Sequence, residues 1–265
     1  MKSYTLLHIL LFLFISFLCQ AQSAEALLKA VQAANLTEIE AILDKGDSDI
    51  NQIYKNDTRF GSTLLCIAAC SGRMEVADLL VKKGALLKVE DNYIHDVLKE
   101  SVNCGQADIV DWLLNGKVYT VADESYLKNM MYLAIANDDV STFDILLNNT
   151  PSMQQADGYT ELLFSTAINN KIRLFERLAT LGADLRAIDD KSGESIIHLA
   201  ASSPEILKIL SQKGLDVNAL SPHQQTPLHL SQNTEAVEFL LSKGAKTDLL
   251  DEYGWTAFHY AVLEA

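Results

Sequence analysis

Thr226-Pro227-Leu228-His229 decides how this chain reads, because the phrase returns. Ser195-Ile196-Ile197-His198 comes before it and Thr256-Ala257-Phe258-His259 after it, so that the three histidines stand 31 and 30 residues apart. Each phrase follows a polar turn and opens a short apolar helical pattern. A second phrase, the end of a helix running into glycine, keeps the same beat at Lys83-Gly84-Ala85, Leu181-Gly182-Ala183-Asp184, Lys213-Gly214-Leu215-Asp216 and Lys243-Gly244-Ala245. A third signal is an aliphatic residue at the centre of a buried stripe: Ile42, Leu80, Leu113, Leu146, Leu178, Leu210 and Leu240, spaced 38, 33, 33, 32, 32 and 30. A fixed period of this length is the mark of a stacked repeat.

A period near 33 with a Thr-Pro-Leu-His opening resembles the ankyrin repeat family. The resemblance implies an all-α solenoid of helix-turn-helix units joined by short turns or hairpins, with about seven repeats and a terminal half repeat. Neither helix of such a unit buries its apolar face without the next unit. It also implies a protein that binds other macromolecules rather than one that catalyses.

The first unit, Ala26-Leu27-Leu28-Lys29-Ala30-Val31 followed by Glu38-Ile39-Glu40-Ala41-Ile42-Leu43, lacks the opening phrase and reads as an N-terminal cap. The second is nearly regular, from Gly61 through Leu80, with Cys66 where the family has histidine. The third (Asn92 to Gly116) and fourth (Ser125 to Thr150) keep the second helix but have lost the opening, so their turns are irregular. The pattern is expected to recover from Asp157-Gly158-Tyr159-Thr160 onward, with Gly158, Gly193 and Gly254 each in its repeat's turn, where glycine allows positive φ. Ser203 and Pro204 read as an N-cap and first helical residue. The eighth unit ends at Ala265 after one helix carrying Phe258, Tyr260 and Leu263, which is either a modest cap or a sticky end.

The first stretch differs from the rest. Met1-Lys2-Ser3 precedes an apolar run from Leu6 to Leu18, broken by His8 and Ser16, and then Cys19-Gln20-Ala21. This predicts a signal peptide over 1–21 and a mature ankyrin repeat domain over 22–265, exported to the periplasm or outside the cell. Two alternatives stay open: an uncleaved leader, although a span wants about 20 apolar residues, and a lipidated Cys19, although Leu18 stands where a bacterial lipobox has a small residue. Either would make a membrane-tethered scaffold of the envelope. The 265 residues carry 21 basic and 35 acidic side chains. Loss of the leader removes Lys2 and no acid, leaving a net charge one more negative than the −14 of the full chain. Such a surface repels phosphate backbones, so nucleic acid is excluded as a partner class. No membrane insertion of the mature chain is expected, and the expected state is a monomer.

No nucleophile elbow, Gly-rich phosphate loop, paired catalytic carboxylate motif or HExxH is present, so no enzyme, catalytic residue or cofactor is expected. The repeated histidines do not make a metal site. Equivalent residues in successive repeats lie about 8–10 Å apart, whereas zinc ligands reach to about 2.1 Å. In the ankyrin family this histidine ties turn to helix, and His198, His229 and His259 are read so. Cys66 and Cys70, at i and i+4, are read as buried small hydrophobes without a fourth ligand for a metal, although one pair among Cys66, Cys70 and Cys104 is free to close in an oxidising compartment. The Asn-x-Thr triplets at Asn35, Asn56 and Asn148 are of the frequency chance provides.

Ankyrin proteins contact partners with their turn tips and the exposed side of their first helices, which line a concave face. The tip residues that folding leaves free are the candidates for partner binding: Arg59, Phe60, Tyr159, Lys191, Glu194, His223, Gln225, Tyr253 and Trp255. Aromatic and arginine side chains are the usual anchors of interfaces. The alternative for the aromatics is packing on neighbouring turns. The expected partner is a protein, and small exported bacterial members of the family are associated with toxin immunity and with protection against oxidative stress.

Overall fold

The computed structural model describes residues 21–54, 61–89, 95–121 and 123–263. The leader up to Gln20 and the candidates Arg59 and Phe60 therefore lie outside the described residues. The chain divides into two compact units, Met1–Val121 and Ala122–Ala265.

Among its described residues the first unit holds three helix pairs. These are α1 (21–33) with α2 (Leu36–Leu43), α3 (Leu64–Cys70) with α4 (Met74–Lys82), and α5 (Val97–Asn103) with α6 (Ala107–Leu114). Hydroxyl and carboxyl side chains start the helices: Thr63 accepts the Cys66 N–H at 3.2 Å, and Asp96 accepts those of Leu98 and Lys99. Such a cap contributes about 1 kcal/mol. Asp96 thus takes the place of the missing threonine in the third repeat. It closes a two-residue antiparallel hairpin, β1 (Lys88–Val89) against β2 (His95–Asp96), with Lys88 opposite Asp96. The third repeat thus keeps a pair of antiparallel strands despite the lost opening phrase.

Gly72, at φ +67, lies in the short link between α3 and α4, and a Cβ there would stand 2.5 Å from Oε1 of Gln106. Gln106 uses its amide nitrogen to reach the Cys70 carbonyl at 3.1 Å, one repeat back. Glycine therefore supplies both the left-handed backbone and the room for a bond between repeats.

The second unit continues with α7 (Glu124–Ala136) and α8 (Val140–Asn148), α9 (Ala156–Ile168) and α10 (Ile172–Leu181), α11 (Ile196–Leu199) and α12 (Pro204–Gln212), α13 (Pro227–Leu230) and α14 (Thr234–Ser242), and then α15 (Ala257–Leu263) alone. Among the described residues, seven pairs and one half repeat match the period read from Ile42 and the six leucines, all seven of which are buried. Burying each contributes about 1.5–3 kcal/mol. Phe143 and Phe175, in α8 and α10, are the largest fully buried side chains. Ser203 caps α12 through the Ile206 N–H, with Pro204 first in the helix as expected.

The first helices of the second unit's pairs differ in length. Those of the fourth and fifth pairs run for 13 residues, and those of the sixth and seventh for four. This corrects the expectation for the fifth repeat. Asp157-Gly158-Tyr159-Thr160 is not a turn but the first turn of α9, entered from a 3-10 turn at Pro151–Met153. Gly158 is buried and helical, and a Cβ on it would meet the Met153 carbonyl oxygen at 2.6 Å. Its glycine is there for close approach of two backbones. Gly193 and Gly254 do sit in turns, at φ +71 and +76.

Candidate functional site

Three hairpins of the second unit share one lock. The Asp189 N–H donates to the Glu194 carbonyl at 2.8 Å, Ser221 to Gln225 at 2.9 Å, and Asp251 to Trp255 at 2.9 Å. A side chain closes each from inside. Asp189 accepts from the Ser192 N–H and hydroxyl, Ser221 Oγ accepts the Gln225 N–H, and Asp251 accepts the N–H groups of Tyr253 and Trp255. The Tyr260 hydroxyl adds a 2.6 Å bond to Asp251. Burial works to raise the Asp251 carboxyl, but these donors outweigh it and hold the group below its usual value. Asp189 is held low in the same way, by the Ser192 N–H first.

The histidines link hairpin to hairpin. His229 Nδ1 accepts the Thr226 N–H at 3.1 Å, which places the proton on Nε2, and Nε2 donates to the Trp255 carbonyl of the following hairpin at 3.2 Å. His198 pairs Nδ1 with Ser195 Oγ at 2.7 Å and Nε2 with the Ala219 carbonyl at 2.9 Å. His259 repeats the first half of this pattern on Thr256. The tie from turn to helix read from the sequence is present, and each of the first two also reaches the next repeat.

The tips are therefore ordered, and they use some of the candidates for their own packing. His223 Nδ1 lies 2.7 Å from Glu252 Oε1, and Gln225 donates to the Tyr260 hydroxyl at 3.0 Å. Trp255, 37% exposed, packs edge-on against Tyr260 with ring centroids 5.4 Å apart and stacks on His259. Glu194 is half-buried beneath its hairpin. Lys191 is exposed, and Tyr253 stands 70% exposed at the last tip. Tyr159 is half-buried in α9 and not in the row of tips, because the fifth repeat has helix where the sequence pointed to a turn.

A groove of about 900 Å³ lies beside α9, between Tyr132 of α7 and the hairpin segment 187–191. Phe164, Ile168 and Ile188 line it, together with Asp157, Glu161 and Asp190. Glu161 accepts from Lys128 at 2.7 Å and from the Tyr132 hydroxyl at 3.0 Å. Burial acts to raise this carboxyl, and those two bonds reverse the effect and hold it low. Burial, with the Glu161 carboxylate, pushes the Tyr132 phenol up to about 12. Of the lining residues only Lys191 had been selected from the sequence. The available signal was Ile168, which follows the buried Ala167 at a position the 3.6-residue period turns toward water.

In the first unit Cys70 and Cys104 form a disulfide, with Cα atoms 5.2 Å apart. The reading of Cys70 as a separate buried hydrophobe is corrected. Cys70 is the last residue of α3 and Cys104 the C-cap of α5, so the bond joins the ends of the first helices of successive repeats. Cys66 is buried and unpaired, and burial first of all pushes its thiol up to about 11. Among the described residues no group of three or more His, Cys, Asp or Glu is placed to hold a metal ion, and no helix is long and apolar enough to cross a membrane.

The family model for ankyrin repeats in three copies matches residues 27–123, 130–221, 162–251 and 205–265. The chain is 32% identical over 124 residues to the nuclear factor NF-kappa-B p105 subunit of Gallus gallus, a match covering 43% of this chain and 12% of that protein. It is 22% identical over 250 residues to the human transient receptor potential cation channel subfamily A member 1, covering 88% of this chain and 22% of the channel. It is also 26% identical over 247 residues to the ankyrin repeat protein nuc-2 of Neurospora crassa, covering 89% and 23%. The chain thus spans less than a quarter of the length of these relatives. Among solved structures, the human ASB11 ankyrin repeat domain superposes with a TM-score of 0.59 at 19% identity, covering 83% of this chain and 98% of that one. Period, paired helices, hairpin lock and family model agree, and this chain belongs to the ankyrin repeat family.

Proposed function

We propose that this protein is an exported, non-enzymatic binding module that holds a protein partner through its hairpin tips and the exposed side of its first helices, the concave face of the family. Ankyrin repeats mediate protein–protein interaction, and the observation that carries the reading here is the row of locked tips in the second unit. Side chains already fixed lose little entropy on binding, so most of the contact energy is available as affinity. Tyr253, fully formed into its hairpin yet 70% exposed, is the natural anchor.

Export is supported by the apolar segment at Leu6–Leu18 and by the Cys70–Cys104 disulfide, since such bonds persist in oxidising compartments. Within that setting, toxin immunity and protection against oxidative stress are the two roles proposed. The test of the binding face is partner capture by Tyr253→Ala and Trp255→Ala. Each is expected to weaken it by about 1–2 kcal/mol or more. Unchanged affinity in both, with loss on altering Asp108 or Asp111 of α6, would move the interface to the outer helices.

A further inference from the structure

We propose that the groove beside α9 selects an extended segment of the partner in which an aliphatic side chain is flanked by lysine or arginine. This rests on the reading of the face as protein-binding and adds the chemistry it recognises.

The floor is apolar and open to water. Ile168 is 62% exposed and Ile188 60% exposed, and both line the groove with Phe164, although they come from different elements. Neither isoleucine is needed for the core. The buried residues of α9 are Gly158, Leu162, Leu163, Thr166 and Ala167, and Ile188 lies on a hairpin strand position opposite Ser195. Two stiff branched side chains facing the same groove present an apolar surface that a leucine- or isoleucine-sized group would cover.

The rim decides the charge of the visitor. Four carboxylates line the groove against one cation, Lys191. Glu161 is already held by Lys128 and Tyr132, and Asp189 by Ser192. Asp157, in the first turn of α9, and Asp190, on the hairpin, make no ion pair among the described residues. An acidic segment would meet these two charges, and a purely aliphatic one would strip water from them without replacement. A basic side chain on each flank of an aliphatic one satisfies both rim and floor, and the chain's net charge of −14 steers such a segment inward.

The test is fluorescence anisotropy on the whole protein with three labelled peptides of equal length: alternating leucine and lysine, alternating leucine and glutamate, and alternating glycine and lysine. The leucine–lysine peptide is expected to bind about tenfold or more tightly than either of the others. Ile188→Ser should weaken it about fivefold or more. The double variant Asp157→Asn/Asp190→Asn should weaken it and flatten its salt dependence. All three positions are exposed, so an unchanged melting temperature is the control for folding. Equal binding of the glycine–lysine peptide would reduce the effect to general attraction by an acidic surface and overturn the proposal, as would indifference to Ile188→Ser or no binding at all. A protein partner that depends on Tyr253 but not on Ile188 would refute this proposal and leave the proposed function standing, whereas indifference to both sets of variants would refute both.

Discussion

His229 sits at the junction of two repeats, accepting from Thr226 at Nδ1 and donating to the Trp255 carbonyl through Nε2. Its replacement by alanine leaves a buried N–H and a carbonyl without their partner, so His229→Ala should destabilise the fold by about 1–3 kcal/mol in urea denaturation. His259 makes only the turn-to-helix half of the arrangement and is exposed, so His259→Ala should cost less. Asp251 carries a pH signature. Its folded value lies below the usual 3.8, so its contribution is present above that pH and is lost as pH falls through the lower folded value. Melting curves from neutral to acid pH should show the wild type losing its advantage over Asp251→Asn in that window, and a constant difference would exclude the carboxylate as the cause. The histidines' role was legible from the resemblance to the ankyrin family, while their spacing by itself excluded only a shared metal. The hold that His223 and Gln225 have on Glu252 and Tyr260 was not, because both partners lie in the next repeat.

Helix α9 is the element that departs most from its repeat. Gly158→Ala places two opposed effects in one substitution: alanine raises helix propensity by about 1 kcal/mol, but its Cβ would meet the Met153 carbonyl oxygen at 2.6 Å. Backbone on both sides leaves little to give, and overpacking of this kind costs about 1–3 kcal/mol. The expected net is destabilisation, read as a lower urea midpoint, and a stabilised variant would mean that the 3-10 turn moves freely. At the other end of the unit, α15 buries no residue and leaves Phe258 72% exposed. Phe258→Ser should therefore change stability by no more than about 0.5 kcal/mol. Helix existence followed from the apolar period in every repeat, whereas the length of each first helix did not, since Asp-Gly reads as a turn until Met153 is seen against it.

For the whole molecule the covalent link matters more than any single helix. Cys70 and Cys104 are 34 residues apart, and closing a loop of that length removes enough freedom from the unfolded chain to stabilise the fold by about 3–4 kcal/mol on the chain-entropy account. Calorimetry with and without reductant should show that loss, and Cys70→Ala should reproduce it and abolish the effect of reductant. Intact mass of protein from the native host addresses the leader: a mature chain starting near Gln22 is expected, and retention of residues 1–21 or a diacyl increment on Cys19 would replace export with tethering.

The sequence by itself determined the repeat, its count and the buried stripe, because these depend on local periodicity, and each unit states the pattern independently. It also marked the cap residues Ser203 and Pro204, whose effect is confined to one helical turn. Only the tertiary structure decided that Cys70 joins Cys104, that Gln106 reaches over Gly72, that Tyr159 is helical and that Ile168 and Ile188 line one groove. Each of those depends on which atoms of one repeat the stacking of the next brings within reach, and a periodic pattern fixes the spacing of repeats without fixing the contacts between them.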